Sequence, residues 1–202
     1  MKKIDTKYNI IHFYEDVMSK EECNAIYDFV LNLKKDNTDD NSNKMPWETS
    51  DTINPATIKD ANIKNIIIKN VKILTEIVSK DFNEQVYPHF TDIVLWRKGK
   101  KMAMHTDDAS NHTDKKLGEP FAPRHYSAVV YINDNYTGGQ TFIRLNENET
   151  YYSNPKAGSV LIFTSDEKCP HGVTEVTDGN RITLPTWFTR DKDKINPFLK
   201  IY

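Results

Sequence analysis

Between His89 and Thr189 the chain is cut into short β-branched and aromatic runs by turn-forming residues, and few architectures accept that pattern. The runs cover 91–97, 126–133, 140–144, 159–164, 172–176 and 181–189. Gly138 with Gly139, the PKAG stretch at 155–158 and the DGN stretch at 178–180 stand between them as turn signals. Short antiparallel strands at this spacing predict a sandwich or jelly roll, not an open α/β sheet. No internal repeat, P-loop or GxGxxG suggests a nucleotide fold.

The first part of the chain has a different period. Tyr8 to Tyr14 reads as a short strand. Ser19 with Glu22 forms a capping box, and Cys23, Ile26, Tyr27, Val30 and Leu31 then recur at helical spacing. Residues 34–50 are polar and rich in turn formers, a loop that Trp47 is expected to anchor. Ile63, Ile66, Ile67, Val71, Leu74 and Ile77 predict a long helix over 56–80 with one apolar face. The expectation is a single domain over 1–202, with 1–88 as helical support and 89–190 as the β core. A chain of 202 residues suits one closed core.

Charge narrows the function. Lys+Arg 27 against Asp+Glu 29 leaves a net −2, without the basic excess of a nucleic-acid or anionic-membrane binder. No apolar run reaches the length of a signal peptide or membrane span, so the expected location is cytoplasmic. Cys23 and Cys169 do not make a disulfide framework and are expected to be free thiols.

The residues that suggest chemistry are His105 and Asp107 in MHTDD, together with the distant His171. Two positions apart on an extended strand, a histidine and a carboxylate face the same side. With a second imidazole they make the facial set that holds non-haem Fe(II) and leaves coordination positions open.

The surrounding motifs resemble those of the 2-oxoglutarate and Fe(II)-dependent oxygenases, in particular the prolyl-4-hydroxylase-like group. That pattern is H-x-D, R-x-x-[ST]-x-x-x-Y-[LI]-N, GGET, PxxG, then H followed ten residues later by Lys or Arg. Here it is met by His105 and Asp107; by Arg124, Ser127, Tyr131, Ile132 and Asn133; by Gly138 to Thr141; by Pro155 and Gly158; and by His171 and Arg181. The opening YNIIHFYEDVMSKEEC is similar to the strand and capped helix with which such proteins begin. The resemblance implies a double-stranded β-helix with N-terminal supporting helices, mainly β with α.

It also implies Fe(II) as cofactor, and 2-oxoglutarate and dioxygen as cosubstrates, with a protein or peptide as substrate, hydroxylated at a prolyl residue as 2-oxoglutarate becomes succinate and CO2. His105, Asp107 and His171 would bind the metal. Arg181, a planar fixed cation, and Tyr131 would bind the far carboxylate of 2-oxoglutarate. Alternation along the last run puts Arg181, Thr183, Pro185 and Trp187 on one face and Ile182, Leu184 and Phe188 on the other, which makes Thr183 and Trp187 pocket candidates. Arg124 occupies the family's position near substrate, and residues 108–123 are the expected lid.

Three departures bear on the substrate. Trp96 and Met102 stand where the family often has tyrosines, so a usual hydrogen-bond donor is expected to be lost at each, and GGET has become GGQT at Gln140. The readings left open are hydroxylation of a free amino acid or small metabolite, and a metal- or peptide-binding module without turnover.

Overall fold

The computed structural model of the protein describes residues 1–36, 51–108 and 124–199. Helix α1 (Lys20–Asp36) begins at the capping box seen in the sequence. The Ser19 amide donates to Glu22 and the Glu22 amide donates back to Ser19 Oγ, both at 3.2 Å. Helix α2 (Ala61–Phe82) starts five residues later than its periodicity suggests. Asp60 takes the N-cap, accepting from the amides of Asn62 and Ile63, and Pro55–Thr57 forms a separate 3-10 turn. Asn83, left-handed at φ 51°, ends the helix.

Five strands precede the metal motif's own: β1 (Lys2–Ile4), β2 (Ile11–Glu15), β3 (Asp51–Ile53), β4 (Tyr87–Thr91) and β5 (Ile93–Arg97). The first strand predicted at Tyr8 begins only at Ile11, and the one predicted over 91–97 is two strands divided at Asp92. Next come β6 (Met102–His105), β7 (Tyr126–Tyr131), β8 (Thr137–Gly138), β9 (Thr141–Asn146) and β10 (Glu149–Tyr152). The chain continues through β11 (Val160–Thr164), β12 (His171–Val173) and β13 (Val176–Asp178) to β14 (Asn180–Thr189).

An eight-stranded sheet runs β1-β2-β11-β7-β14-β5-β3, with β4 also paired to β14. A four-stranded sheet runs β10-β9-β12-β6, and β8 and β13 form a small ribbon. All pairings are antiparallel, as a jelly-roll sandwich requires. The N-terminal region is more than helical support, because β1, β2 and β3 extend the large sheet on both flanks.

Alternation gives that sheet two faces. Ile93 and Leu95 of β5, Ala128 and Val130 of β7, and Ile182, Leu184 and Phe188 of β14 pack with Ile26, Ile67, Leu74 and Val78 of the helices. The opposite face turns inward to the small sheet. One patch there gathers Tyr131, Leu161 and Phe163 with Ile143 of β9, and a second gathers Val94 and Trp96 with Val173 and Val176. The site lies on this inward face. Both cysteines are free and buried. Among the described residues no helix is long and apolar enough to cross a membrane. Of the expected loop at 34–50, residues 34–36 belong to α1 and the rest, Trp47 included, falls outside the described residues, as does all but Asp108 of the expected lid.

Candidate active site

His105 ends β6 and His171 opens β12, and the two stand directly opposite in the small sheet. Their ring centroids are 4.5 Å apart. Each ring is oriented by its own strand: His105 Nδ1 lies 2.9 Å from the Ala103 carbonyl and His171 Nδ1 lies 2.9 Å from the Cys169 carbonyl. A carbonyl only accepts, so both Nδ1 atoms carry the hydrogen and both Nε2 lone pairs are left for a ligand. Gly172 lets the strands meet this closely, since a Cβ there would lie 2.7 Å from the Met102 carbonyl oxygen.

Asp107 reaches the same point by a route other than the expected one. The strand stops at His105, and the chain bends at Asp107 instead of continuing in alternation. The bend is tied to the large sheet's side of the site by the Asp108 amide, which donates to the Ser165 carbonyl at 2.8 Å. Ser127 Oγ donates to Asp107 Oδ2 at 2.6 Å and is itself 2.7 Å from Ser165 Oγ. Asp107 Oδ2 then lies 3.3 Å from His171 Nε2, and Oδ1 lies 3.6 Å from His105 Nε2.

One ligand atom from each of the three residues lies within 4.8 Å of the others, a spacing that one ion can bridge. Burial would raise the Asp107 carboxyl, but His171, His105 and Ser127 outweigh it and hold the group well below the ordinary carboxylate range. Burial pulls His105 down, and Asp107 more than reverses this, so its pKa is raised. A carboxylate fixed in its ionised form beside two oriented imidazoles fits a divalent metal.

Deeper in the sandwich lies Arg181, on β14 and 1% exposed. Its guanidinium sits between the rings of Trp96 at 5.5 Å and Tyr131 at 5.4 Å. Arg181 Nη2 donates to Thr141 Oγ1 at 3.0 Å, and the Tyr131 hydroxyl donates to the same oxygen at 2.8 Å. No carboxylate among the described residues pairs with this cation. Buried polar atoms here that find no hydrogen-bond partner among the described residues are Arg181 Nε, Trp96 Nε1 and Tyr136 Oη. Buried donors without acceptors cost stability unless a ligand completes them. A small carboxylate bound here would do so, and the pocket fits the far end of a dicarboxylate.

Trp96 corrects an expectation. Its indole keeps a donor where the tyrosine hydroxyl was expected to be lost, whereas Met102 only packs beside it. Tyr136 and the hydroxyl of Thr141 are functional candidates that sequence reasoning missed. The signal was the YTGGQT stretch itself, since the bare backbone of Gly139 is what packs against Tyr136 and Arg181. Burial pushes the Tyr136 hydroxyl up to about 12 against the opposing charge of Arg181, so it remains a donor. Thr183 is buried on this inward face, opposite both Tyr131 and Val94.

Toward the open end, Trp187 lies opposite Ser127 on one side and Phe90 on the other. Arg124 stacks over the Trp187 ring at 4.3 Å and reaches to 5.9 Å from Phe90. The predicted site residues are therefore gathered on the inward face, with Arg181, Tyr131, Thr183 and Trp96 together at the deep end. His105, Asp107 and His171 form the middle, and Arg124 and Trp187 the mouth.

A jelly roll with two imidazoles and a carboxylate above a buried arginine defines a class of facial-triad, metal-dependent proteins. The family model described as "2OG-Fe(II) oxygenase superfamily" matches residues 88–189, half of the chain, and the chain belongs to that superfamily. The superfamily uses Fe(II), 2-oxoglutarate and dioxygen. Prolyl 3-hydroxylase 2 of Homo sapiens is 39% identical over 70 residues, 34% of this chain and 10% of that protein. Prolyl 3-hydroxylase 1 of Rattus norvegicus is 31% identical over 101 residues, 47% of this chain and 14% of that protein. The chain thus spans a small fraction of these relatives' length.

Two solved structures share the fold. A prolyl-4-hydroxylase of Pseudomonas putida superposes with a TM-score of 0.65 at 18% identity, over 90% of this chain and 92% of that one. A prolyl hydroxylase of Trichoplax adhaerens, solved with a hypoxia inducible factor oxygen degradation domain peptide fragment, gives 0.66 at 16% identity, over 93% and 87%.

Proposed function

We propose that this protein is an Fe(II)- and 2-oxoglutarate-dependent dioxygenase that hydroxylates a prolyl residue in a protein or peptide. It acts as a single domain in which 1–88 adds the helices and flanking strands to the core at 89–190. The observation that carries the reading is Arg181, a fully buried cation that pairs with no carboxylate among the described residues, next to three convergent metal-binding side chains. The prolyl hydroxylases among the relatives and the peptide bound to one structural neighbour support a peptide substrate.

The roles follow from position. Nε2 of His105, Nε2 of His171 and one carboxylate oxygen of Asp107 would hold Fe(II). The bound metal, 2-oxoglutarate and dioxygen supply the oxidation, in which 2-oxoglutarate becomes succinate and CO2 and the second oxygen atom becomes the substrate's hydroxyl. The chain supplies binding and exclusion of water. Arg181 would pair with the distal carboxylate through its planar fork, and the Tyr131–Thr141 hydroxyl pair would complete the seat. Ser127 holds Asp107 in place, and the two Nδ1–carbonyl bonds fix the imidazole tautomers. Arg124 and Trp187 would meet the substrate at the mouth.

An anaerobic absorbance titration of apo-protein with Fe(II) and then 2-oxoglutarate tests the site. The expected result is a visible charge-transfer band that needs the keto acid, is lost in His105→Ala and requires more cosubstrate in Arg181→Ala. Absence of the band in folded wild-type protein would overturn the oxygenase reading. Succinate released with prolyl peptides but not with free proline supports the peptide substrate, and the reverse supports a small-molecule hydroxylase.

A further inference from the structure

Asp92 is a second charged group at the mouth, and nothing in the motifs calls for it. It is the residue at which β4 stops and β5 begins, and its amide donates to the Pro185 carbonyl of β14 at 3.2 Å. Ile93 and Leu95 face the helices while Val94 and Trp96 face the site, so alternation turns Asp92 inward, in line with Phe90 and Val94. Asp92 is 9% exposed. Among the described residues its carboxylate makes no hydrogen bond and no ion pair.

Arg124 is within electrostatic reach of Asp92 and of Asp107. Yet Arg124 is stacked on Trp187 and pairs with neither. A buried carboxylate without a partner is costly, and burial pushes this one up to about 7 even against the pull of Arg124. Among the described residues, opposite charges that stand near one another without touching give this end of the site a local dipole. An isolated ion would be attracted by one and repelled by the other. A group with an N–H donor adjoining an oxygen acceptor satisfies both.

We propose that Asp92 is a substrate-binding residue that accepts the main-chain N–H of the residue following the target proline, while Arg124 faces the adjoining carbonyl. This rests on the prolyl-peptide reading above. The bond that precedes proline is a tertiary amide without a hydrogen, so the nearest main-chain N–H that shares a peptide unit with a proline carbonyl belongs to the next residue. The substrate class that follows is a peptide whose target proline is succeeded by a residue other than proline.

The test uses the full chain with Fe(II) and 2-oxoglutarate. One peptide library carries a central Pro-Gly with randomised flanks, and the other carries Pro-sarcosine, which replaces that N–H by N–CH3. Retention is measured without oxygen and hydroxylated product with oxygen, for wild type, Asp92→Asn and Asp92→Val, with thermal melts and the charge-transfer band confirming fold and cofactor binding. Wild type should prefer the Pro-Gly library by roughly tenfold or more, as for a lost hydrogen bond to a charged group. Asp92→Val should bind both libraries alike at the weaker level, and Asp92→Asn should fall between.

If the wild-type preference is absent, or persists in Asp92→Val, the inference is overturned while the prolyl-peptide reading stands. If neither library is retained by wild-type protein that shows the charge-transfer band, both fall together.

Discussion

Single atoms at the deep end of the sandwich decide what the protein can hold. Arg181 brings a fixed charge that no acid among the described residues answers, so Arg181→Ala should weaken 2-oxoglutarate binding by roughly 10- to 100-fold and leave Fe(II) binding in place. Titrating the charge-transfer band against each component separates the two effects. Trp96→Phe keeps an aromatic ring beside Arg181 and removes the unpartnered indole N–H together with the five-membered ring that carries it. It should raise the cosubstrate's dissociation constant by roughly tenfold or more, the weight of one hydrogen bond to a charged carboxylate. Ser127→Ala removes the donor that steers Asp107, and a loss of about 10- to 100-fold in Fe(II) affinity is the expected result in an anaerobic metal titration. At this scale the sequence was informative wherever a motif fixed a spacing, which is why His105, His171 and Arg181 stand where they were expected. It was silent on Tyr136 and Asp92, because their importance comes from missing partners, and partners belong to the folded state.

Elements were legible in proportion to how local their causes are. The capping box at Ser19 and Glu22 set the start of α1 within one turn of chain, and the structure repeats it hydrogen bond for hydrogen bond. The start of α2 differs from the expected 56 because the apolar period opens only at Ile63 and does not mark it, whereas Asp60 fixes it by two side-chain bonds to the first amides. Asp60→Ala should therefore cost about 1 kcal/mol in urea unfolding, as a lost N-cap does. Short strands such as β8, β10 and β13 carry too few residues to show alternation, and they exist because a neighbouring strand supplies the other half of the ladder. The break between β4 and β5 is likewise set by β14: Asp92 lies opposite Pro185, which accepts from the Asp92 amide but has no N–H to return. Gly172 shows a constraint between elements: Gly172→Ala would press a methyl onto Phe142 and the Met102 carbonyl, pushing β12 from β6. Weaker Fe(II) binding with the helices intact is the expected outcome, read by metal titration beside far-ultraviolet circular dichroism.

Across the whole molecule, the helices cover one face of the large sheet and leave the other for chemistry, and the N-terminal strands belong to that same sheet. β2 pairs with β11 and carries His12, which is buried with its Nε2 unpartnered. Its Nδ1 lies 3.8 Å from Asp81 of α2, a carboxylate that also accepts from Tyr14 and Lys3. Burial lowers the His12 pKa from an ordinary 6.5, despite Asp81. The folded state therefore binds this proton less readily than the unfolded chain, and the contribution to stability is present above about pH 6.5 and lost as the pH falls below it. Thermal melts of the apo-protein should drop through that window, and His12→Phe should flatten the drop.

The triad itself spans the two leaves of the sandwich. Both imidazoles belong to the small sheet, while Asp107 is tethered through Ser127 and Ser165 to the large one. An ion bound there acts as a rivet through both leaves, so its removal should free them to breathe, with amides of β6 and β12 exchanging with solvent sooner than those of β7 and β14.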